Sequence, residues 1–393
     1  MSSDAVSRAR QCAVAGIGNT AYTRGTEKST LELHLEASLA ALADAGLTPA
    51  DVDGVLPSTV AGRSADEFIA NLGLRDVSFA PSAHLGGASL LSQVQNACLA
   101  IEAGVASCVL IPAGRRGYSG ERVSTGQGIW ENVLASVMEF EQPYGNTTAV
   151  QWFAQAATRH MYQYGTTSEQ LGHVAVSCRA NANLNPQALM YGKPMTLEDH
   201  QASRMITTPF RMLDCSLESD GAGALVVTSA ARARSLGRGQ ALIAGVAESH
   251  ANVPASLAQK PDMTVVEALR VAAARAFAMS GTSITDADTV LIHEGFTWYV
   301  IAALEALGVV KTGEGGPFVA DGNIRLDGSL PVNPHGGALS EGHVSGINHV
   351  IEGVRQLRRT VEPARQIRDC GNVVVVNEGN FFEGAVLVLE KGD

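Results

Sequence analysis

The sequence predicts an α/β protein of two mixed sheets, with helices between and outside them, built on one strand–helix pattern used twice. Three observations carry this reading. The 393 residues are 46% hydrophobic and only 17% charged, enough to bury a sizeable core in two halves. The 41 glycines and 5% aromatic content suit a tightly packed α/β chain with many turns. The order of elements before residue 240 also returns after residue 241.

The first strand is expected over Cys12–Asn19. Its Gly16-Ile-Gly18-Asn-Thr-Ala21 superficially matches a dinucleotide fingerprint, but that motif needs a helix opening on its last glycine. Here Tyr22-Thr-Arg-Gly-Thr-Glu-Lys follows, so nucleotide binding is rejected in favour of a plain strand-end turn. Leucines and alanines at helical spacing predict a helix over Thr30–Ala45, stopped by Gly46. A strand follows at 54–58, a small-residue helix at 86–104 and a buried strand at 105–111. From about 114 to 208 the strand pattern lapses into glycine-rich loops and helices, read as an insertion in an N-terminal half of residues 1–240. The glycines and serines of 114–128 suggest a mobile loop over a large pocket. Residues 220–229 restore a strand. The second half, 241–393, repeats the order: a strand at 241–246, a helix at 264–279 and a strand at 291–293. A helix at about 346–357 answers the one after Gly87. Val373–Val376 answers 105–111, and the run from Gly384 answers the run from Gly223. In such a duplicated fold a ligand is expected where the halves meet.

The formal charge of −11, with no basic run, argues against nucleic acid. The start, Met-Ser-Ser-Asp-Ala-Val-Ser-Arg, has no apolar leader segment, and no stretch approaches a membrane span. Six scattered cysteines without a Cys-x-x-Cys read as reduced, mostly buried thiols of a cytoplasmic protein. His335 and His343 lie eight apart, and no i,i+4 pair supports a metal site.

The stretch most able to carry chemistry is Asn333-Pro-His-Gly-Gly-Ala-Leu-Ser-Glu-Gly-His343-Val-Ser-Gly346. Its glycines, among them Gly336 and Gly337, let backbone approach a ligand or take positive φ. His343, at the positive end of the following helix, suits an anion or an enolate. A structural loop with a hydrogen-bonded histidine is the plainer alternative.

Together with the duplication, three motifs in order resemble the thiolase superfamily, in its branch of sterol carrier protein x and bacterial lipid-transfer-protein thiolases. They are His293-Glu-Gly-Phe, Asn333-Pro-His-Gly-Gly and Gly342-His343. Thr166-Thr-Ser-Glu-Gln-Leu, Asn185-Pro and Asp214-Cys-Ser-Leu-Glu-Ser-Asp-Gly-Ala-Gly-Ala look similar to that branch as well. The resemblance implies a layered αβαβα fold with two mixed five-stranded sheets and a homodimer. It also exposes two departures. Gly87, in His84-Leu-Gly-Gly87-Ala-Ser89, stands where thiolases carry the nucleophilic cysteine. Asn377-Glu-Gly379 stands where they carry the second one. Cys98 lies eleven residues past Gly87, about three helical turns along, and reads as core.

Without sulfur no acyl group can be held covalently between half-reactions. By resemblance, His293 and His343 would hold a thioester oxygen, and the N–H groups of Gly87 and Gly379 would form a second oxyanion hole. Donors of this kind are worth roughly 3–4 kcal/mol each in other enzymes. The expectation is aldol or retro-aldol chemistry on a 3-hydroxyacyl-CoA, possessing a coenzyme A thioester as substrate and no bound cofactor. It resembles the cysteine-less steroid side-chain aldolases, which act with a small OB-fold, zinc-ribbon partner protein and have tyrosines in place of the two histidines. Histidine can serve as base or acid, so His343 is expected as base or enolate donor, with His293 as its counterpart. Asn377 would donate where a thiol stood or merely fill space. His84, Ser89 and Tyr299 are candidate pocket residues, with packing the alternative for Tyr299 and Trp298. Glu294, Glu341, Glu378 and Glu383 read as salt-bridge or capping groups, one of them a candidate base. The rival functions are an acyltransferase with another nucleophile and a silent acyl-CoA- or lipid-binding scaffold subunit.

Overall fold

The computed structural model describes residues 10–58, 64–120, 122, 139–250, 260–379 and 382–392. Residues 1–8, on which the expectation about a leader segment falls, and residues 121 and 123–128 of the loop 114–128 lie outside them. No helix among the described residues is long and apolar enough to cross a membrane.

Eight strands form the main sheet: β1 Cys12–Asn19, β2 Gly54–Val55, β3 Cys108–Arg116, β4 Asp220–Ser229, β5 Ala241–His250, β6 Thr289–Ile292, β7 Asn372–Gly379 and β8 Glu383–Lys391. Their order is β2-β3-β4-β1-β5-β8-β7-β6. In the first four, β1 and β3 run antiparallel to β4, and β2 runs parallel to β3. The last four repeat this: β5 and β7 are antiparallel to β8, and β6 is parallel to β7. The duplication is thus visible strand by strand.

The mixed α/β class holds, but the count differs from two five-stranded sheets. Among the described residues each half gives four strands to the main sheet. The inner strands β1 and β5 then pair at Cys12–Ile243 and Ala13–Leu242, joining both sets into one order of eight.

Helices α1 Thr30–Ala45 and α3 Glu267–Ser280 cover the outer faces, while α2 Ser89–Glu102 and α4 Ile347–Arg358 lie between the halves. The shared core joins Leu90, Leu91 and Val94 of α2, Ile347, Val350 and Val354 of α4, and Val14, Leu225, Val375 and Leu387 from both sets of strands. Burying this much apolar surface from both halves at once is the main favourable term tying them together. Cys98 is buried in the same core, so it is packing. A 3₁₀ turn at Gly86–Ala88 precedes α2, which therefore starts later than expected. β3 likewise starts at Cys108 and runs to Arg116, into the expected insertion. Beyond it stand helices Ala149–Tyr164, Ser168–Ala182 and Leu197–Ala202, and a ribbon of Met205–Thr207 with Phe210–Arg211.

α1 opens on a Ser29–Glu32 capping box and closes on left-handed Gly46. The glycines of the rejected fingerprint are not a turn: both sit within β1. A Cβ at Gly18 would fall inside van der Waals contact of the Ala37 carbonyl oxygen and the Ala41 amide nitrogen, and one at Gly16 would meet the Ala41 carbonyl. They are there so that α1 can lie directly on the strand. Gly18→Ala is therefore expected to cost about 1–3 kcal/mol through overpacking, read as a lower urea midpoint with an unchanged slope.

Candidate active site

β6 ends at Ile292, and the N–H of His293 donates to the Val376 carbonyl (2.9 Å), which sets His293 beside Asn377. The Asn-Pro motif holds this strand end. Asn333 takes positive φ (50°). Its Oδ1 accepts from the Ile292 N–H (2.8 Å), and its Nδ2 donates to the Ile292 carbonyl and to Glu294 Oε2 (2.9 Å each). The inserted region braces the turn, with Asn181 donating to the Val332 and Asn333 carbonyls (3.1 and 3.0 Å) and Asn185 to the His335 carbonyl (3.0 Å).

His343 is gripped from the segment before β4. Its N–H donates to Ser219 Oγ (2.8 Å), and that hydroxyl donates back to the His343 carbonyl (3.1 Å). Ser216 Oγ lies 3.2 Å from His343 Nδ1. Ser216 gets there because its N–H donates to the Gly295 carbonyl (2.9 Å), two residues past His293. The His293 and His343 rings stand 5.2 Å apart, centre to centre. Gly346, at φ 76°, lets the chain pass: a Cβ there would lie 3.0 Å from His293 Nδ1 and 2.6 Å from Asn377 Nδ2. Asn377 Nδ2 donates to the Gly87 carbonyl (3.1 Å). Buried Asn377 Oδ1 and both ring nitrogens of His293 have no hydrogen-bond partner among the described residues.

A Cβ at Gly87 would lie 3.5 Å from His293 Cε1 and inside contact of the Glu378 carbonyl oxygen. Gly379 abuts the Leu85 carbonyl in the same way, so the end of β7 is seated directly on the turn before α2. His293, His343, Asn377 and Gly87 are thus brought together, with Gly379 at the edge of the same junction.

The other candidates stand elsewhere. His84 is exposed. Ser89 Oγ accepts from the Leu85 N–H (2.9 Å) and donates to the Gly86 carbonyl (2.8 Å), fastening the turn. Gly336 packs on Ala182, and Gly337 makes room for the Glu294 carboxylate. Tyr299 and Trp298 are fully buried in the outer core of the second half. Glu294 and Glu341 are buried hydrogen-bonded groups, Glu341 accepting from Asn185 and Asn348 (2.8 Å each). The reading from residues alone missed Ser216, Ser219, Arg115 and His349; the only hint was the serine spacing in Asp214-Cys-Ser-Leu-Glu-Ser.

Burial sets the charge states. His293 is lowered to about 3, chiefly by burial and further by His349 and Arg115. His343 is pushed well down by burial, Arg115 and His293. His349 is lowered to about 3 by burial. Burial raises Glu294 and Glu341 to about 8. The thiol of Cys215, next to Ser216, is raised to about 12 by burial and points to the Arg211 carbonyl (3.5 Å). It is no ready nucleophile.

Two buried imidazoles thus face each other between the duplicated half-sheets, beside the turn that opens α2, where Gly87 stands. Residues 247–391 match the family described as thiolase C-terminal domain-like. The chain is 38% identical to a steroid side-chain-cleaving aldolase of Thermomonospora curvata, over 92% of this chain and 94% of that one. It is 38% identical to a 17-hydroxy-3-oxo-4-pregnene-20-carboxyl-CoA lyase of Mycobacterium tuberculosis, over 96% and 99%. A solved structure described as an Ltp2-ChsH2(DUF35) aldolase superposes with a TM-score of 0.91 at 36% identity, over 98% of each chain. The chain belongs to the thiolase superfamily, in the branch of these aldolases, and is an aldolase-type carbon–carbon lyase.

The buried groups set a pH window for stability. Stability carried by His293 and His349, lowered from 6.5 to about 3, is present above pH 6.5 and lost as pH falls toward 3. Stability carried by Glu294 and Glu341, raised from 4.5 to about 8, is present below pH 4.5 and lost as pH rises toward 8. The Tm is therefore expected to be highest between about pH 4.5 and 6.5 and to fall on both sides; a Tm still rising through pH 8 in scanning calorimetry contradicts these assignments.

Proposed function

We propose that the chain breaks, or in reverse forms, the Cα–Cβ bond of a 3-hydroxyacyl-CoA thioester with no acyl-enzyme. The observation that carries this is the pairing of Gly87, hard against the Glu378 carbonyl, with His293, whose two ring nitrogens have no partner among the described residues. The first denies a covalent intermediate its place. The second leaves an imidazole ready to exchange a proton.

One of the two imidazoles takes the proton of the β-hydroxyl. The Cα–Cβ bond breaks, its electron pair becomes a thioester enolate, and the β-carbon leaves as a ketone or aldehyde. The proton is then returned to Cα, so atoms and charge balance without a co-reactant. At 5.2 Å between ring centres, one imidazole can meet the hydroxyl while the other donates to the enolate oxygen. A base must be unprotonated to act, and the low position of His293 keeps it so at neutral pH. Peptide N–H groups of Gly87 and Gly379 are proposed as further donors to the same oxygen.

The relatives' printed names support a steroid with an acyl-CoA side chain as the substrate. The aldolase that superposes on this chain was solved together with a DUF35 protein, which supports a small partner of that kind here. A cytoplasmic location, supported by cysteines that are all unpaired, and the homodimer that the family resemblance implies are parts of the same proposal.

His293→Ala is expected to lower kcat by about 100-fold or more, measured as carbonyl product released from a 3-hydroxyacyl-CoA, with and without the partner. In the wild type, kcat/KM should show no descending limb near 6.5, the ordinary histidine value. Gly87→Cys should gain no CoA-dependent acyl transfer and should lose about 1–3 kcal/mol of stability. Acyl transfer by this variant, or by the wild type, would count against the proposal.

A further inference from the structure

Behind His293 stands a second imidazole that takes no part in the proposed bond-breaking. His349, in the first turn of α4, is fully buried, with its ring centre 5.5 Å from that of His293 and the two planes at 60°. Its neighbours limit where protons can be. The Asn348 amide nitrogen donates to Glu341 Oε2 (2.8 Å) and to the Gly342 carbonyl (3.1 Å). That turns the Asn348 oxygen toward His349 Nδ1 (3.2 Å) as an acceptor, so Nδ1 carries a hydrogen.

The other ring nitrogen, Nε2, lies 3.1 Å from Glu294 Oε2. Glu294's remaining contacts are donors: the Leu339 N–H on Oε1 (3.0 Å) and Asn333 Nδ2 on Oε2 (2.9 Å). A hydrogen bond between Oε2 and Nε2 therefore holds one proton, on the carboxyl or on the ring. The pair is neutral in both cases, but His293 faces an imidazolium in one and an uncharged ring in the other.

We propose that this proton rests on Glu294, and that His349, held by it, is a positioning residue that turns an uncharged ring edge to His293 and keeps it available as the base. The inference rests on the proposed role of His293. Separating charge inside a dry pocket is unfavourable unless the surroundings repay it. The Ile292 and Gly346 carbonyls favour a charged ring, and the N–H groups of Leu339 and Ala338 with Asn333 favour a charged carboxyl, but burial outweighs both. His335 adjoins His349 at 4.7 Å between ring centres, and Glu341 lies beyond it, 3.7 Å from His335 Nε2. Glu352, on α4 itself, is matched by Arg365. Arg115 acts on both His293 and His343 and opposes positive charge there. Burial pushes Glu294 up and His349 down, both toward the neutral pair.

The test uses the full chain at neutral pH. Infrared difference spectra between wild type and Glu294→Gln are expected to show a protonated carboxyl band that the variant lacks. Nitrogen-15 spectra of histidine-labelled wild type are expected to show His349, assigned by its loss in His349→Gln, as a neutral ring with its hydrogen on Nδ1. Glu294→Gln replaces one uncharged group with another, so kcat/KM should fall by about tenfold at most while its acid limb stays where the wild type has it. A carboxylate band with an imidazolium spectrum for His349, or a limb moved by a pH unit or more, overturns the inference. His349 can also be assigned in wild type by through-bond correlation from its ring to its own backbone, so that spectrum needs neither activity nor a folded variant. A lack of aldolase activity would therefore sink the proposed function while the place of the proton is still decided.

Discussion

The pairing of the Asn333 side-chain amide with both backbone groups of Ile292 is the constraint on which the site depends. β6 is a strand of four residues with β7 on one side, and on the other the backbone of Pro331–Asn333 bridges to Val290 but stops short of the strand's end. Asn333 supplies the missing neighbour at its end, and in doing so determines where the next two residues point. His293 goes toward Asn377 and Gly87; Glu294 goes down into the buried cluster under Leu339 and His349. Because Asn181 and Asn185 of the inserted region hold the Asn333 turn in place, the insertion helps to position His293 and Glu294.

The second feature is what has become of the nucleophile's position. A glycine there is more than a missing side chain. With the Glu378 carbonyl oxygen where a Cβ would go, the end of β7 has closed on the turn before α2, and Asn377 pins it by donating to the Gly87 carbonyl. The two half-sheets therefore meet through backbone at the place where covalent chemistry would need a thiol. Proton transfer and hydrogen bonding to a developing enolate need only donors and a neutral base, and both remain.

That neutrality depends on burial. His293, His349 and His335 lie close together inside the protein, with Glu294 against His349 and Glu341 near His335, all of them buried. In a low dielectric such groups are stable chiefly when uncharged. Burial pushes the carboxyls up and the imidazoles down, which favours an unprotonated His293 at neutral pH.

Local patterns determined the elements. Alternation and helical spacing are properties of a few consecutive residues, which is why Cys12–Asn19, Thr30–Ala45 and 220–229 are legible without coordinates, as is their repetition in the second half. The likeness of His293, His343 and Gly87 to known motifs joined distant residues that spacing alone could not join. Only the tertiary structure decided the rest. It showed that β1 and β5 meet to make one order of eight strands, and that Gly16 and Gly18 serve a helix lying on a strand. It put His84 at the surface, and it brought Ser216 to His343 across 127 residues. Contacts of that separation leave no period in a sequence, since each depends on how whole layers are placed against one another.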